Sequence, residues 1–242
     1  MRATQWSWFI DQQLGAVKKS GLANSAHKIN VLVSMPVFWG FAPDHTGFYK
    51  NHVEYGDPPI TFGDKIKEYI ETRYSFVTHI DLHDISAPNT YEGYPLKYVY
   101  DACCENDIYV LYFHSKGATK SLVNLANWRE ALNYYMIERW KDHISALNNG
   151  YDVSAMGDAT TEKHIVSGNF FWAKSSYIKT LTNPLDIMSY ARTTLIDNGS
   201  PERYAYEVWI RSNNPKINWI HNTMVDHYSS YYFLEYDKSG LW

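Results

Sequence analysis

Tyr109-Val-Leu-Tyr-Phe-His-Ser-Lys-Gly117 is the stretch of sequence that decides the predicted fold. Its first five residues are aromatic, β-branched or aliphatic and carry no charge, which predicts a buried β-strand. The pattern ends at His114-Ser115-Lys116-Gly117, where polar side chains precede a glycine that tolerates a positive φ. Because ligands of open α/β sheets bind just beyond the carboxyl ends of the strands, this junction is a candidate binding site.

The loop that follows this strand is basic. Lys116, Lys120 and the backbone amides of the turn could hold an anion such as a diphosphate. Ser115 and Gly117 lie in the same loop and are further candidate contacts to a bound donor. A short basic loop is also compatible with an ordinary strand end whose lysines are solvated, so the residues alone leave both interpretations open.

Outward from this strand, hydrophobic periodicity predicts an alternation of helices and strands. The predicted helices cover residues 5–19, 63–74, 94–104, 125–147, 176–181 and 201–210, and the predicted strands cover residues 29–34, 76–82, 108–113, 153–156 and 164–173. Residues 38–59 are rich in Gly, Pro, Asp and His and are predicted to form a long loop. This alternation is typical of a single α/β/α sandwich domain over residues 1–242, with a mostly parallel central sheet.

The composition narrows the class of function. Charged residues make up 20% of the 242 residues and the net charge is -4, which argues against a general nucleic-acid binder. Aromatic residues reach 17%, with 21 Tyr and 9 Trp, and such side chains offer flat amphipathic surfaces that suit sugar rings. The only cysteines, Cys103 and Cys104, are adjacent and imply no disulfide framework. No secretory signal or membrane-length apolar segment is evident, so we expect a soluble, cytoplasmic protein with no transmembrane segment.

Several motifs recur in an order that resembles a known family. They are Glu92 before a helix, Tyr112-Phe-His-Ser-Lys-Gly117, Asn127-Trp128-Arg129, His164-Ile-Val-Ser-Gly-Asn-Phe-Phe-Trp-Ala173 and Glu207-Val-Trp-Ile210. Together they resemble glycosyltransferase-like proteins of bacterial and viral surface-glycan loci, whose members carry His-(Ser/Thr)-Lys-Gly, Trp-Arg and Ser-Gly-Asn-Phe-Trp-Trp-Ala segments. Phe171 stands where that family more often has Trp.

The resemblance implies both a fold and an activity. It implies a GT-A-like, Rossmann-like domain with a nucleotide-sugar half at about residues 1–120 and an acceptor half at about residues 121–242. The implied activity moves a hexose or deoxyhexose from a nucleotide-diphosphate donor to a glycan hydroxyl, as in polysaccharide biosynthesis. The implied site residues are Lys116 and His114 at the leaving group, Ser115, Gly117, Lys120, Asp81 and Glu92 at the donor, and His164, Gly168, Asn169 and Trp172 at the sugar or acceptor.

The residue types of the Ser167-Gly168-Asn169 segment fit that role. Gly168 permits close approach of the backbone, and Asn169 offers both hydrogen-bond donors and an acceptor to sugar hydroxyls. By default the aromatic residues that follow, which include Trp172, belong to the core, although one of them could face the cleft. His143 lacks partners at metal-ligand spacing, so we interpret it as a structural or surface residue.

The metal requirement is left open by the sequence. Ordinary GT-A enzymes end their central strand in Asp-x-Asp, which holds a divalent cation, whereas this chain has His114 and Lys116 there. A protonated lysine neutralises phosphate directly, so metal-independent stabilisation of the leaving group is possible. Asp81, His83 and Asp84 form the rival cluster, which could bind Mn²⁺ or Mg²⁺, although an ordinary turn at the strand end is the favoured interpretation.

Glu207 is the candidate general base. Inverting transfer needs a group that removes the acceptor proton, and the resemblance places an acidic residue on this late helix. The alternative is an exposed Glu207 or an ion pair with Arg203 or Arg211, and a retaining mechanism would need no such base. The competing functions are a non-catalytic carbohydrate-binding module and, last, a metal-dependent phosphoesterase that uses Asp81 and Asp84.

Overall fold

A computed structural model describes residues 5–35, 59–84, 92–115, 123–158, 165–187 and 201–223. Helices in this part of the chain are α1 (Gln5–Lys19), α2 (Leu22–Ser25), α3 (Pro59–Arg73), α4 (Gly93–Glu105), α5 (Val123–Leu132), α6 (Trp140–Asn148), α7 (Ser175–Ile178) and α8 (Pro201–Trp209). Strands are β1 (Asn30–Met35), β2 (His79–Asp84), β3 (Tyr109–Tyr112), β4 (Val153–Asp158), β5 (Ile165–Lys174) and β6 (Ile217–Thr223). The predicted loop at 38–59 lies almost wholly outside the described residues.

The chain divides into two compact units. The first comprises Met1–Pro88 and Ser115–Ala126, and the second comprises Asn89–His114 and Asn127–Trp242. In the first unit β1 and β2 pair in parallel, and side chains from α1 and α3 form the core beside them. That core is built from Leu14 of α1, from Ile66 and Ile70 of α3, and from Tyr74 directly after α3.

The second unit contains a four-stranded mixed sheet in the order β3-β5-β4-β6. β5 runs antiparallel to both of its neighbours, and only β4 and β6 pair in parallel. The predicted GT-A-like sandwich with one mostly parallel central sheet is therefore wrong. The reason is connection length, because only six residues separate the end of β4 from the start of β5. A parallel crossover needs about a dozen residues or more, so a short connection favours antiparallel pairing.

The long helix predicted at 125–147 is interrupted. α5 continues into a π-helical segment (Asn133–Glu138), and α6 begins after Arg139. A π-helical turn inserts an extra residue, so the buried face rotates along the helix. As a result Ile137 and His143 are buried in the core, whereas Trp140 of the predicted apolar face is only partly buried.

His143, for which the sequence left a structural or a surface role open, is a buried structural histidine. Its Nε2 lies 2.8 Å from the Tyr135 carbonyl oxygen, which only accepts hydrogen bonds, so Nε2 carries the proton. Nδ1 then accepts from the Ser154 hydroxyl at 2.8 Å, and Ser154 Oγ in turn accepts from Asn218 Nδ2 at 3.0 Å. Burial lowers the pKa of His143 to about 4, so the ring is neutral in the folded protein near pH 7.

Acidification is therefore expected to destabilise the protein through His143. The unfolded chain takes up a proton at the ordinary histidine pKa of about 6.5, whereas the folded chain resists protonation down to about 4. The contribution of His143 to the free energy of unfolding is fully present well above pH 6.5. It falls as the pH drops toward 4, and the loss is about 2 kcal/mol at pH 5. Urea unfolding at pH 7, 6 and 5 measures this slope. His143→Gln should flatten it, and an unchanged slope in that variant would assign the acid sensitivity to other groups.

Candidate functional site

A break in strand β5 forms the centre of the candidate site. Gly168 and Asn169 are consecutive residues with φ of 63° and 59°, both in the left-handed region. The register with β4 passes from Ala155 opposite Phe171 to Gly157 opposite Val166, so β5 contains extra residues at this point. Such a bulge redirects side chains away from the regular alternation of a strand. Here it turns Asn169 toward the start of α4.

The side chain of Asn169 is buried, with the residue 1% exposed, and it is fixed by two acceptors. Nδ2 donates to Oε2 of Glu92 and, at 3.4 Å, to the backbone carbonyl of Tyr206. Since both partners accept, the amide nitrogen must face them and Oδ1 must point the other way. Oδ1 has no hydrogen-bond partner within the described ranges. The amide hydrogens of Asn169 are therefore used in hydrogen bonds within the protein, and the bond to Glu92 orients that carboxylate.

His114 joins the same cluster from the end of β3. Its Nε2 lies 2.8 Å from the Gly168 carbonyl oxygen and 3.5 Å from Oε1 of Glu92. A carbonyl only accepts, so Nε2 carries a hydrogen that points at Gly168. The side chains of His114 and Glu92 are 24% and 23% exposed, so solvent reaches the cluster at this point.

Glu92 is the charged group of the cluster. It is the N-cap residue of α4, where the positive end of the helix dipole favours a carboxylate. Burial raises the pKa of Tyr112 well above its ordinary value, and the negative charge of Glu92 raises it further. Tyr112 is thus a neutral phenol beneath the carboxylate, and its ring stacks on Phe171 at a centroid distance of 5.3 Å.

Packing from two further helices fixes the bulge. Trp128 Nε1 on α5 donates to Ser167 Oγ at 3.0 Å, one residue before Gly168. The Tyr206 ring on α8 lies against Gly93, where an added Cβ would be 2.8 Å from the phenolic oxygen. Glycine at the start of α4 is therefore what lets α8 approach Glu92 so closely.

The structure brings together some of the predicted site residues and not others. Glu92, His114, Gly168 and Asn169 meet directly, and Glu207 follows Tyr206, whose carbonyl binds Asn169. Trp172 is 5% exposed, donates from Nε1 to the Met136 carbonyl at 2.8 Å and stacks on His143, so it lies in the core. The predicted residues Lys116, Gly117, Lys120 and His164 lie outside the described residues.

The remaining predicted residues belong to the first unit. Ser115 is exposed at the end of the segment that follows β3. Asp81 lies in β2 opposite Leu32 and is partly buried, and His83 and Asp84 complete the same strand. No group of three or more His, Cys, Asp or Glu side chains converges as a metal site within the described ranges. No helix among the described residues is long and apolar enough to cross a membrane.

Comparison with known proteins assigns a family. A family model described as a domain of unknown function (DUF8361) matches residues 61–218, about two thirds of the chain. The chain belongs to the DUF8361 family. No curated protein and no solved structure matches it. Glu92, His114, Asn169 and Glu207 all fall inside the DUF8361 match, so the candidate site lies in the part of the chain that the family model describes.

Gly168 offers a test of the bulge by substitution. In Gly168→Ala the new Cβ would lie 2.7 Å from Leu132 Cδ1, and the backbone would keep a φ of +63°. We expect a loss of about 2–3 kcal/mol of unfolding free energy, from left-handed strain plus crowding of a buried leucine. Gly150→Ala is the matched control, because its φ is +87° and no atom lies within 4 Å of its added Cβ.

Gly150→Ala should cost only the strain, about 1 kcal/mol. Both losses are measured by urea unfolding, and their difference reports the crowding at Leu132. Equal losses in the two variants would show that β5 is not packed against α5 as described.

Proposed function

We propose that this protein is a glycosyltransferase that moves a sugar from a nucleotide-diphosphate donor to a glycan hydroxyl. One observation carries the proposal. Glu92, the His114 loop, the Trp128 helix and the Gly168-Asn169 segment are far apart in sequence, yet hydrogen bonds join them at one bulge. These are the segments in which the sequence resembles glycosyltransferase-like proteins, so their convergence supports a shared site rather than separate structural motifs.

Sugar binding would rest on Glu92. Its carboxylate is held by the Asn169 amide and lies beside His114, and it remains partly open to solvent. A carboxylate accepts hydrogen bonds from sugar hydroxyls, and such charged hydrogen bonds contribute about 1.5–3 kcal/mol each. Because Asn169 fixes the carboxylate before any ligand arrives, little reorganisation is needed on binding.

The transfer step would rest on Glu207. The acceptor oxygen attacks the anomeric carbon of the donor and forms the new glycosidic bond. Glu207 takes the acceptor proton, and the bond from the anomeric carbon to the diphosphate oxygen breaks. The electron pair leaves with the nucleoside diphosphate, whose negative charge a cation in the site has to neutralise. Glu207 is partly buried on α8, next in sequence to a residue of the cluster.

A thermal-shift panel tests the proposal. The protein is melted with nucleoside diphosphates, nucleotide sugars and free glycans, each with and without Mn²⁺. A ligand that binds only the folded state raises the melting temperature by mass action, and we expect this for at least one nucleotide sugar. Shifts with glycans alone would favour the non-catalytic carbohydrate-binding module. No shift with any nucleotide or nucleotide sugar would contradict the glycosyltransferase proposal.

A further inference from the structure

Two buried polar atoms at the bulge have no hydrogen-bond partner among the described residues. They are the hydroxyl oxygen of Tyr112 and Oδ1 of Asn169. Tyr112 is 6% exposed and Asn169 is 1% exposed, so bulk water does not hydrate either atom. Because about nine in ten buried polar groups of folded proteins are hydrogen-bonded, two unbonded atoms at one bulge indicate a place where a ligand supplies the partner.

The Tyr112 hydroxyl lies beside the Glu92 carboxylate without bonding to it. The two groups are close enough for the charge of Glu92 to raise the pKa of Tyr112 beyond the effect of burial, yet no hydrogen bond of normal geometry joins them. The phenol therefore keeps its hydrogen near pH 7 and is a donor that lacks an acceptor. Glu92 is an acceptor that is partly open to solvent, with 23% of its side chain exposed.

From this arrangement we infer that Tyr112 is a ligand-binding residue, and that its phenol and the Glu92 carboxylate share one hydroxyl group of the donor sugar. The inference rests on the proposed function and names a contact of that site. A hydroxyl has one hydrogen to donate and lone pairs with which to accept, so the sugar hydroxyl donates to Glu92 while its oxygen accepts from Tyr112. Each of these bonds polarises and strengthens the other.

Tyr112→Phe tests whether the hydroxyl has a partner within the protein. Removing an unbonded hydroxyl breaks no hydrogen bond, so we expect this variant to melt within about 2 °C of wild type. Tyr177→Phe is the matched control, because the Tyr177 hydroxyl is also buried and donates to the Ile210 carbonyl at 2.8 Å. Its loss leaves that carbonyl unsatisfied and should lower the melting temperature by about 4 °C. An equal or larger fall in Tyr112→Phe would overturn the inference.

Deletion of single sugar hydroxyls tests the contact itself. The donor is whichever of UDP-glucose, UDP-galactose, UDP-N-acetylglucosamine and GDP-mannose gives the largest thermal shift, and it is compared with analogues that each lack one sugar hydroxyl. Calorimetric titration gives Kd for wild type, Tyr112→Phe and Tyr177→Phe. For one hydroxyl, we expect the deletion to weaken binding by about 5-fold more in wild type than in Tyr112→Phe, because only wild type loses the bond to the phenol.

The other hydroxyls and the control variant show whether this coupling is specific. Deleting any other sugar hydroxyl should weaken binding to wild type and Tyr112→Phe by factors that agree within about 2-fold, and Tyr177→Phe should behave as wild type throughout. Factors that agree for every hydroxyl would overturn the inference and leave the proposed function standing. Absence of binding by all of the donors would instead overturn the proposed function, and the inference with it.

Discussion

Glu207→Gln is expected to lower the rate of sugar transfer by about 10²–10⁴-fold, the usual contribution of a positioned general base. Glutamine keeps the size of the side chain and much of its hydrogen bonding, but it cannot take the acceptor proton. Binding of the nucleotide sugar should stay close to wild type, because the base acts on the acceptor hydroxyl rather than on the diphosphate. Transfer rates at saturating donor, together with donor titrations, measure the two effects separately.

The control for this prediction is Glu105→Gln, which makes the same chemical change at an exposed residue and should leave both quantities unchanged. Transfer at a near wild-type rate in Glu207→Gln would remove Glu207 as the base and would favour a retaining mechanism. If donor binding collapses as well, the role of Glu207 is structural.

Asn169→Asp is expected to cause the largest loss of stability, on the order of 3–5 kcal/mol. The substitution places a second carboxylate, in a residue that is 1% exposed, against the Glu92 carboxylate, and it removes the amide donor that now lies between them. Protonation of either carboxyl relieves the repulsion, so the loss should shrink as the pH falls. Urea unfolding of wild type and variant at pH 7.5 and pH 5 measures both features.

Asn169→Gly separates the charge from the backbone. Glycine tolerates the φ of 59° without strain, so this variant loses only the side-chain hydrogen bonds and should be destabilised by about 1–2 kcal/mol. An Asp variant no less stable than the Gly variant at pH 7.5 would mean that Asn169 does not donate to Glu92.

The sequence predicts most of the helices and strands because their periodicity is local. The bounds predicted for α1 agree with the structure, and those of α4, β3 and α8 agree within one or two residues. The predicted strand direction was wrong, because β5 is antiparallel to both of its neighbours. The prediction treated every connection between strands as a parallel crossover and ignored the short connection that precedes β5. β6 carries no strong apolar alternation, so its pairing with β4 depends on tertiary context.

The candidate site was predicted as a set of residues but not as a geometry. The Gly168-Asn169 pair indicates an unusual backbone conformation. No pattern in the neighbouring sequence, however, predicts that the Asn169 amide contacts Glu92, which lies 77 residues earlier. The sequence predicts that the Asn169 amide donates hydrogen bonds to sugar hydroxyls. In the folded protein that amide nitrogen donates to Glu92 and to the Tyr206 carbonyl instead. Neither Tyr112, which was quoted only as the first residue of a motif, nor Tyr206 was given a role in the site, because aromatic residues in predicted strands and helices are most often core.

Transfer of a sugar by the intact protein tests the central claim most directly. Wild type, Glu92→Gln and Glu105→Gln are incubated with the nucleotide sugar that gives the largest thermal shift and with a glycan acceptor mixture, and the glycosylated product is quantified. We expect product from wild type and Glu105→Gln, and a rate lower by about 10–100-fold in a folded Glu92→Gln variant, because a charged hydrogen bond to the sugar is lost. Equal product from Glu92→Gln, or none from wild type with any donor, would contradict the account of the Glu92 cluster as a sugar-transfer site.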